Sequence, residues 1–366
     1  MRITHVVENL NRGGLERMVL ELVKQQHRQG HQCQIVCVFE AGSLAGEMVD
    51  LGVPVIACGK GAGLDIRALA RIRHSVRVEA SEILHTHNAV AHYYAMLATI
   101  GIRFRRVINT RHGMGENQRS CRREWLYRLA LARTDSVVLV CGAARRAAVQ
   151  RGTVPEGKAR VVPNGIRLGE TGGRTNEALR GLLGLAASTR IIGTVGRLNW
   201  AKDQASLIRA FRIVHDQFPD TALVLIGGGE LRDELQQCAD AEGLADSVYF
   251  PGDRDDVPAL LQGMDLFALS SVSEGYSMAL LEACAAALPI VATDVGGNGE
   301  IVRDGLTGSL VPARDPSALA GALAALLREP AQAQTLGHAA RAWVEGHGSL
   351  EGMAAGYAEI YGGPTA

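Results

Sequence analysis

The sequence predicts an α/β protein of two doubly wound, parallel-sheet domains, and three observations predict it. Short, nearly all-apolar runs bounded by turn residues alternate with segments of helical period, the pattern of parallel strands covered on both faces. The series of runs stops near residue 164 and begins again near residue 190. Clusters of glycine, cations and carboxylates fall just after apolar runs, at the carboxyl ends of strands, where open α/β sheets bind ligands.

The strand candidates of the first half are 3–7, 34–39, 53–57, 83–86, 107–110 and 136–140, with 160–162 as an edge strand. Helical segments lie between them, for example 15–29 and 119–133. Residues 164–189 form a break: Pro163-Asn164-Gly165 is a turn, and 169–175 is rich in Gly and Thr. The second series runs through 191–195, 222–226, 247–250, 266–269, 289–293 and 308–311, and the Ala-rich stretch 316–361 reads as helix. Each half is thus Rossmann-like, and the two are expected to face a central cleft. The expected division is 1–165, 166–349 and a last segment, 350–366. A chain of 366 residues, 47% hydrophobic, is long enough for two cores. Its 43 glycines cluster without a fixed period, which favours tight turns over low complexity.

The formal net charge of zero hides an asymmetry. Residues 1–165 carry 24 Lys and Arg against 13 Asp and Glu, and residues 166–366 carry 14 against 25. A basic first half fits an anionic partner, or two solvated surfaces that attract one another. Seven cysteines, an odd number without a Cys-x-x-Cys pair, read as reduced thiols in a reducing compartment. The opening Met1-Arg-Ile-Thr-His-Val-Val7 reads as a strand rather than a signal peptide. No apolar run reaches the roughly 18–20 residues of a membrane span. A cytoplasmic protein is expected.

Four motifs carry the chemistry. Asn11-Arg-Gly13-Gly14-Leu-Glu-Arg17 follows the first strand. Its glycines would let the backbone approach a diphosphate at a helix N-terminus, although a tight turn needs the same residues. It is neither Gly-x-Gly-x-x-Gly nor a Walker loop, which weakens dinucleotide and P-loop readings. Gly196-Arg197-Leu-Asn-Trp-Ala-Lys202-Asp203 opens the second half. Arg197 and Lys202 could converge on one anion and neutralise a departing diphosphate, or be two surface cations. Ser273-Glu274-Gly275-Tyr276-Ser277-Met-Ala-Leu-Leu-Glu282 runs from a loop into a helix. Free N–H groups at the helix start can hold a phosphate or sugar oxygen. A carboxylate in so apolar a helix is explained by vicinal hydroxyls such as those of ribose, or by a solvated face. Thr110-Arg111-His112-Gly113 places a histidine in a loop, where it could bond a sugar hydroxyl.

His85 and His87 alternate along a strand and are read as pointing to opposite faces, hence not as a metal pair. Asp253-Arg254-Asp255-Asp256 reads as a polar turn rather than an acidic metal motif. No zinc-type His/Cys spacing and no Gly-x-Ser-x-Gly elbow occurs.

Together these motifs resemble the family 4 retaining glycosyltransferases, which have the GT-B fold. The resemblance spans nearly the whole chain. It rests most specifically on Glu274-x7-Glu282 with Gly196-Arg-Leu and Lys202, and further on Val162-Pro-Asn-Gly-Ile166, Gly228-Gly-Glu230 and Val295-Gly-Gly297…Glu300…Gly308. It implies that Gly13 and Gly14 border the donor diphosphate, that Arg197 and Lys202 hold the phosphates, and that Glu282 binds the ribose. It also implies that Glu274 contacts the donor sugar with the Gly275, Tyr276 and Ser277 segment nearby, that His112 touches the transferred sugar, and that the base lies near Gly252–Arg254. The first domain would take the acceptor, the second the nucleotide sugar, and the helix near 350–361 would cross back to the first. Asp203 stands where many members have Gly. The opening Gly-Gly-Leu-Glu-Arg-Met-Val19 also resembles sugar transferases of bacterial exopolysaccharide clusters.

The resulting expectation is a retaining, metal-independent transfer of a hexose-type sugar from a nucleotide-diphosphate sugar, with UDP-sugar favoured. The acceptor would be a hydroxyl of a glycan, a lipid-linked sugar or a small molecule. No cofactor, metal or nucleic acid is implied. The alternatives are a nucleotide-sugar epimerase of GT-B fold and a non-catalytic sugar-nucleotide binding protein. The basic segment 119–133 sets Trp125, Leu126 and Leu129 beside Arg122, Arg123 and Arg128. It reads either as a half-buried helix or as a peripheral contact with the anionic inner face of a membrane.

Overall fold

The computed structural model describes residues 1–114, 121–169 and 177–362. Most of the Gly/Thr-rich stretch 169–175, and the start of the basic segment at Arg119, lie outside them. The chain divides into two compact units: residues 1–165 with the stretch from Leu350 onward, and Ile166–Ser349.

The first unit holds seven parallel strands: β1 Arg2–Val7, β2 Gln32–Cys37, β3 Val55–Ala57, β4 Ile83–His87, β5 Arg106–Arg111, β6 Ser136–Leu139 and β7 Ala159–Val161. Their spatial order is β3-β2-β1-β4-β5-β6-β7. The second unit holds six: β8 Arg190–Val195, β9 Thr221–Ile226, β10 Val248–Gly252, β11 Leu266–Leu269, β12 Ile290–Thr293 and β13 Ser309–Val311, in the order β10-β9-β8-β11-β12-β13. Strand order reverses between β1 and β4 in one sheet and between β8 and β11 in the other. The loops after those four strands therefore line the switch points where doubly wound sheets bind ligands.

The two cores differ. β9 and β11 are buried along their whole length, and Leu223, Leu225, Phe211, Leu207 and Leu323 form one apolar cluster with the helices Gln204–Gln217 and Pro316–Arg328. The first unit instead buries polar side chains on both faces of its sheet. Thr4, Gln34, Ser75 and Ser81 lie on one side, where Thr4 Oγ1 meets Ser81 Oγ at 2.5 Å and Gln34 bonds both Thr4 and Ser75. His5, His85, His87 and Thr110 lie on the other, under the helix Gly14–Arg28 and the last helix, Leu350–Gly362. Tyr357 and Tyr361 of that last helix are fully buried. Each of these named side chains is hydrogen-bonded, which offsets the cost of its desolvation.

The alternation of His85 and His87 needs correction. Residues i and i+2 of a strand share a face, and the two rings pack at 4.3 Å between centroids on the same side of β4. His5, the register partner of His85 on β1, joins them there.

Among the described residues six cysteines are free thiols, five of them buried, and no helix is long and apolar enough to cross a membrane.

Candidate active site

β8 ends in a loop that folds back on itself. Gly196 has φ +156, and a Cβ there would stand 3.2 Å from Lys202 Cε. The missing side chain thus leaves room for the lysine to lie along the backbone. Gly227 and Gly229 press on the same loop: a Cβ on either would come within 2.2 Å of a carbonyl oxygen, of Gly196 and Leu198 respectively. Leu198 N–H donates to Gly228 O at 2.8 Å. These approaches explain the glycines after β9 as packing requirements. Asp203, with φ +47 and ψ 46, takes a left-handed conformation that glycine adopts more readily, and begins the helix Gln204–Gln217.

The loop after β11 is stitched to this one. Ser270 Oγ donates to Lys202 O at 2.9 Å, and Val272 N–H to Ala201 O at 2.9 Å. Lys202 Nζ then forms an ion pair with Glu274, whose Oε1 also accepts from Ser271 Oγ at 2.7 Å. The side chains of Lys202 and Glu274 are only 20% and 10% exposed. Attraction is stronger here than at a free surface, and neither charge is buried alone. Gly296, at φ +56, seats the Glu274 loop: a Cβ there would overlap Glu274 O at 1.7 Å. Gly297 N–H donates to Gly275 O at 2.9 Å.

From Glu274 the chain enters the helix Met278–Ala285 through Ser277, whose Oγ caps it by accepting from Leu280 N at 3.4 Å. Tyr276 is buried, and Glu282 sits half-buried on the second turn among Leu280, Leu281, Ala283 and Cys284. Arg197 is exposed beside Gly196, and its carbonyl accepts from buried Gln204 at 3.0 Å. Arg254 follows β10 and grips Asp256 through Nε at 2.9 Å and Nη2 at 2.8 Å. Asp253 accepts from Gly228 N at 2.6 Å. The acids of 253–256 therefore serve their own turn and the neighbouring loop. The structure joins Lys202 directly to Glu274, and it ties the loops of Arg197 and Arg254 together through the segment Gly227–Gly229.

In the first unit, Gly13 precedes the helix Gly14–Arg28 in extended conformation, φ −179, with no side-chain cap. Gly13, having no side chain, supplies no cap to this helix start, the kind of position where backbone N–H groups can meet an anion. Any residue adopts this φ, so the glycine at 13 is not demanded by its backbone angle. Gly42 is the stricter glycine here. Its φ is +86, and a Cβ would stand 2.3 Å from the carbonyl carbon of Leu10.

His112 follows β5. Its Nε2 lies 3.1 Å from His87 Nδ1, and its backbone N–H donates to Asn88 Oδ1 at 3.3 Å. His87 Nε2 lies 3.1 Å from His5 Nδ1, and His5 Nε2 lies 2.8 Å from Gln26 Oε1. Burial lowers the His5 pKa to about 4 and that of His112 to about 3, and holds His85 and His87 well below 6.5, so the cluster is neutral near pH 7. His5, His85 and His87 could each offer a nitrogen within 4.8 Å of the others, but every one of their six ring nitrogens has a hydrogen-bond partner. They form a hydrogen-bonded core cluster. Among the described residues, Arg111 Nη1 and His112 Nδ1 are buried polar atoms without a hydrogen-bond partner.

Sequence reasoning missed Gln26, Tyr357, Tyr361, Ser270, Ser271 and Asn88. The strand-paired histidines signalled the polar layer, but the tyrosines that cover it lie some 270 residues further along the chain.

Two doubly wound parallel-sheet units, one with a cation–carboxylate pair and glycine loops at its switch point, define the class of two-domain α/β proteins. The model described as "Glycosyltransferase Family 4" matches residues 12–170, and "Glycosyl transferases group 1" matches 176–343. The chain belongs to the family 4 glycosyltransferases and has their GT-B fold. It is 24% identical over 337 residues, 88% of this chain and 87% of the other, to the UDP-Gal:alpha-D-GlcNAc-diphosphoundecaprenol alpha-1,3-galactosyltransferase of Escherichia coli. It is 34% identical over 168 residues, 43% of this chain and 40% of the other, to the D-inositol 3-phosphate glycosyltransferase of Corynebacterium urealyticum. The structure of Anabaena Alr3699/HepE in complex with UDP-glucose superposes with a TM-score of 0.89 at 22% identity, covering 99% of each chain.

Proposed function

We propose that this glycosyltransferase moves a hexose-type sugar from a UDP-sugar to a hydroxyl of a glycan or lipid-linked acceptor, with retention at the anomeric carbon and without a metal ion. The observation that carries the reading is the Lys202–Glu274 pair, seated by Gly196 and Gly296 where strand order reverses between β8 and β11. The ammonium of Lys202 and the guanidinium of Arg197 meet the diphosphate as charge gathers on it, and Glu274 orients the ammonium and contacts the sugar. Glu282 takes the ribose hydroxyls. The helix start at Gly13 and Gly14 offers backbone N–H groups to the diphosphate, and His112 accepts from a hydroxyl of the transferred sugar. Arg254 lies in the loop that borders the base.

The anomeric C–O bond to phosphate breaks as the acceptor oxygen bonds the same face. The acceptor proton passes to a phosphate oxygen of the leaving UDP, so positioning and charge stabilisation do the catalysis. The donor named for the Escherichia coli relative and the ligand of the Anabaena structure support a UDP-sugar. The diphosphoundecaprenol acceptor in that relative's name supports a lipid-linked acceptor and a role in polysaccharide or glycoconjugate biosynthesis at the inner face of a membrane.

The test is a thermal-shift screen with UDP, GDP, ADP and their sugars, followed by incubation of the stabilising donor with and without acceptor. UDP-sugars are expected to stabilise, and the donor to survive alone without epimerisation. Conversion of the donor to its epimer without acceptor would make the protein an epimerase, and no stabilisation by any nucleotide sugar would remove the reading.

A further inference from the structure

The histidines of the first unit form a directed chain. Gln26 Nε2 donates to Tyr361 OH at 3.0 Å, which leaves its Oε1 as acceptor for His5 Nε2–H at 2.8 Å and for the Cys33 thiol at 3.8 Å. A neutral imidazole has one N–H and one bare nitrogen. If His5 donates through Nε2, its Nδ1 is bare and must accept from His87 Nε2–H, 3.1 Å away. His87 Nδ1 is then bare and must accept from His112 Nε2–H, also at 3.1 Å. Each ring transmits the choice to the next, and His112 is left with a bare Nδ1. That nitrogen is buried and has no partner among the described residues. Tyr361 OH, having accepted from Gln26, donates in turn to His85 Nδ1 at 2.7 Å. His85 Nε2–H then donates to Thr110 Oγ1 at 2.8 Å.

We infer that Gln26, His5 and His87 are positioning residues that hold His112 in the Nε2–H tautomer, so that its Nδ1 can only accept a hydrogen bond, selecting a hydroxyl of the transferred sugar as donor. The inference rests on the proposed contact between His112 and that sugar. The chain works because all of its rings stay neutral. The groups that face it are themselves uncharged near neutral pH, namely Gln26, Cys33, Tyr357, Tyr361 and His85. Arg111, next to His112, is the nearest permanent charge in the sequence. The last helix thus supplies, through Tyr361, the group that fixes the amide of Gln26 and with it a ring at the far end of the chain.

The experiment uses the full chain labelled with 15N-histidine. Long-range 1H–15N spectra at pH 7 are expected to show His112 with a protonated Nε2 and an unprotonated Nδ1. Tyr361→Phe removes the acceptor of Gln26 Nε2 at little packing cost, and Gln26→Leu removes the acceptor of His5. In both, the His112 signals are expected to move toward the Nδ1–H form. The transfer rate should fall roughly tenfold, the factor that one hydrogen bond is worth, while KM for the acceptor stays the same. A wild-type His112 protonated on Nδ1 overturns the inference without need of any variant. So does a spectrum or a rate unmoved by both substitutions. If the tautomer shifts as stated but His112→Ala transfers sugar at the wild-type rate, the sugar contact fails while the relay itself stands.

Discussion

Lys202 and Glu274, 72 positions apart, share an ion pair that Ser271 joins through its hydroxyl. It holds a cation at the switch point of the second sheet before any anion arrives. Its charges are mostly shielded from water, so loss of either partner leaves the other poorly compensated.

Lys202→Ala and Glu274→Ala are each expected to lower kcat/KM by about 2–4 kcal/mol of transition-state stabilisation, the range measured when one charge-stabilising contact is lost. The double variant should lose less than the sum, because the pair is broken only once. Steady-state kinetics on the four proteins checks this. Strictly additive losses would show that the two residues act apart.

Gly296→Ala places a methyl group where Glu274 O already stands and forces a left-handed φ of +56 on a residue with a Cβ. A stability loss of about 1–3 kcal/mol is expected, with activity falling as the Glu274 loop shifts. Gly321→Ala is the contrast. It lies inside the helix Pro316–Arg328 with open space where the Cβ would go, and a gain of about 0.5–1 kcal/mol is expected there. Thermal unfolding of both variants reads the difference.

The buried histidines set an acid limit on stability. Burial lowers the pKa of His5 to about 4 and those of His92 and His112 to about 3. In the unfolded chain each would titrate near 6.5, so below that pH the unfolded state binds the protons. Their contribution is whole above pH 6.5 and is lost as the pH falls toward 4 for His5 and toward 3 for His92 and His112, at up to about 1.4 kcal/mol per pH unit for each ring. The unfolding midpoint should drop between pH 6.5 and 5, above the range where carboxylates titrate. A flat profile over that interval would contradict the burial of these rings as neutral groups.

The helix Cys121–Ala130 turns Tyr127 inward and leaves Trp125 59% and Leu129 54% exposed, one turn apart, with Arg128 beside them. The side chains of Arg122 and Arg123 lie outside the described residues. We propose that this face meets anionic lipid. Sedimentation with vesicles containing anionic phospholipid should show binding that weakens with salt and is lost in Trp125→Ser/Leu129→Ser. No binding at low salt would end the idea.

Much of the fold was legible because parallel strands buried on both faces leave a plain trace. β11 reads as Leu266–Leu269 in both sequence and structure. The others differ by a residue or two at their ends, where hydrogen bonding rather than hydrophobicity sets the limit. β4 was legible in place but not in orientation, since its face depends on the pleat, which puts His85 and His87 together. Of the site, Lys202 and Glu274 announced themselves as charges in glycine-rich turns. Ser270, Ser271 and Gly296 did not, because their roles come from contacts between loops distant in sequence. Gln26 looked like one more polar residue on an amphipathic helix. Only the docking of Tyr361 and the register of β1 on β4 reveal what it holds.

The most direct test of the account is calorimetric titration of UDP into the wild-type chain and into Lys202→Ala, without added metal. The expected result is saturable one-site binding by the wild type, weakened at least tenfold in the variant, as befits loss of a charge-assisted contact. Equal affinity of the two proteins, or no binding of UDP by the wild type, would contradict the placing of the donor diphosphate at Lys202.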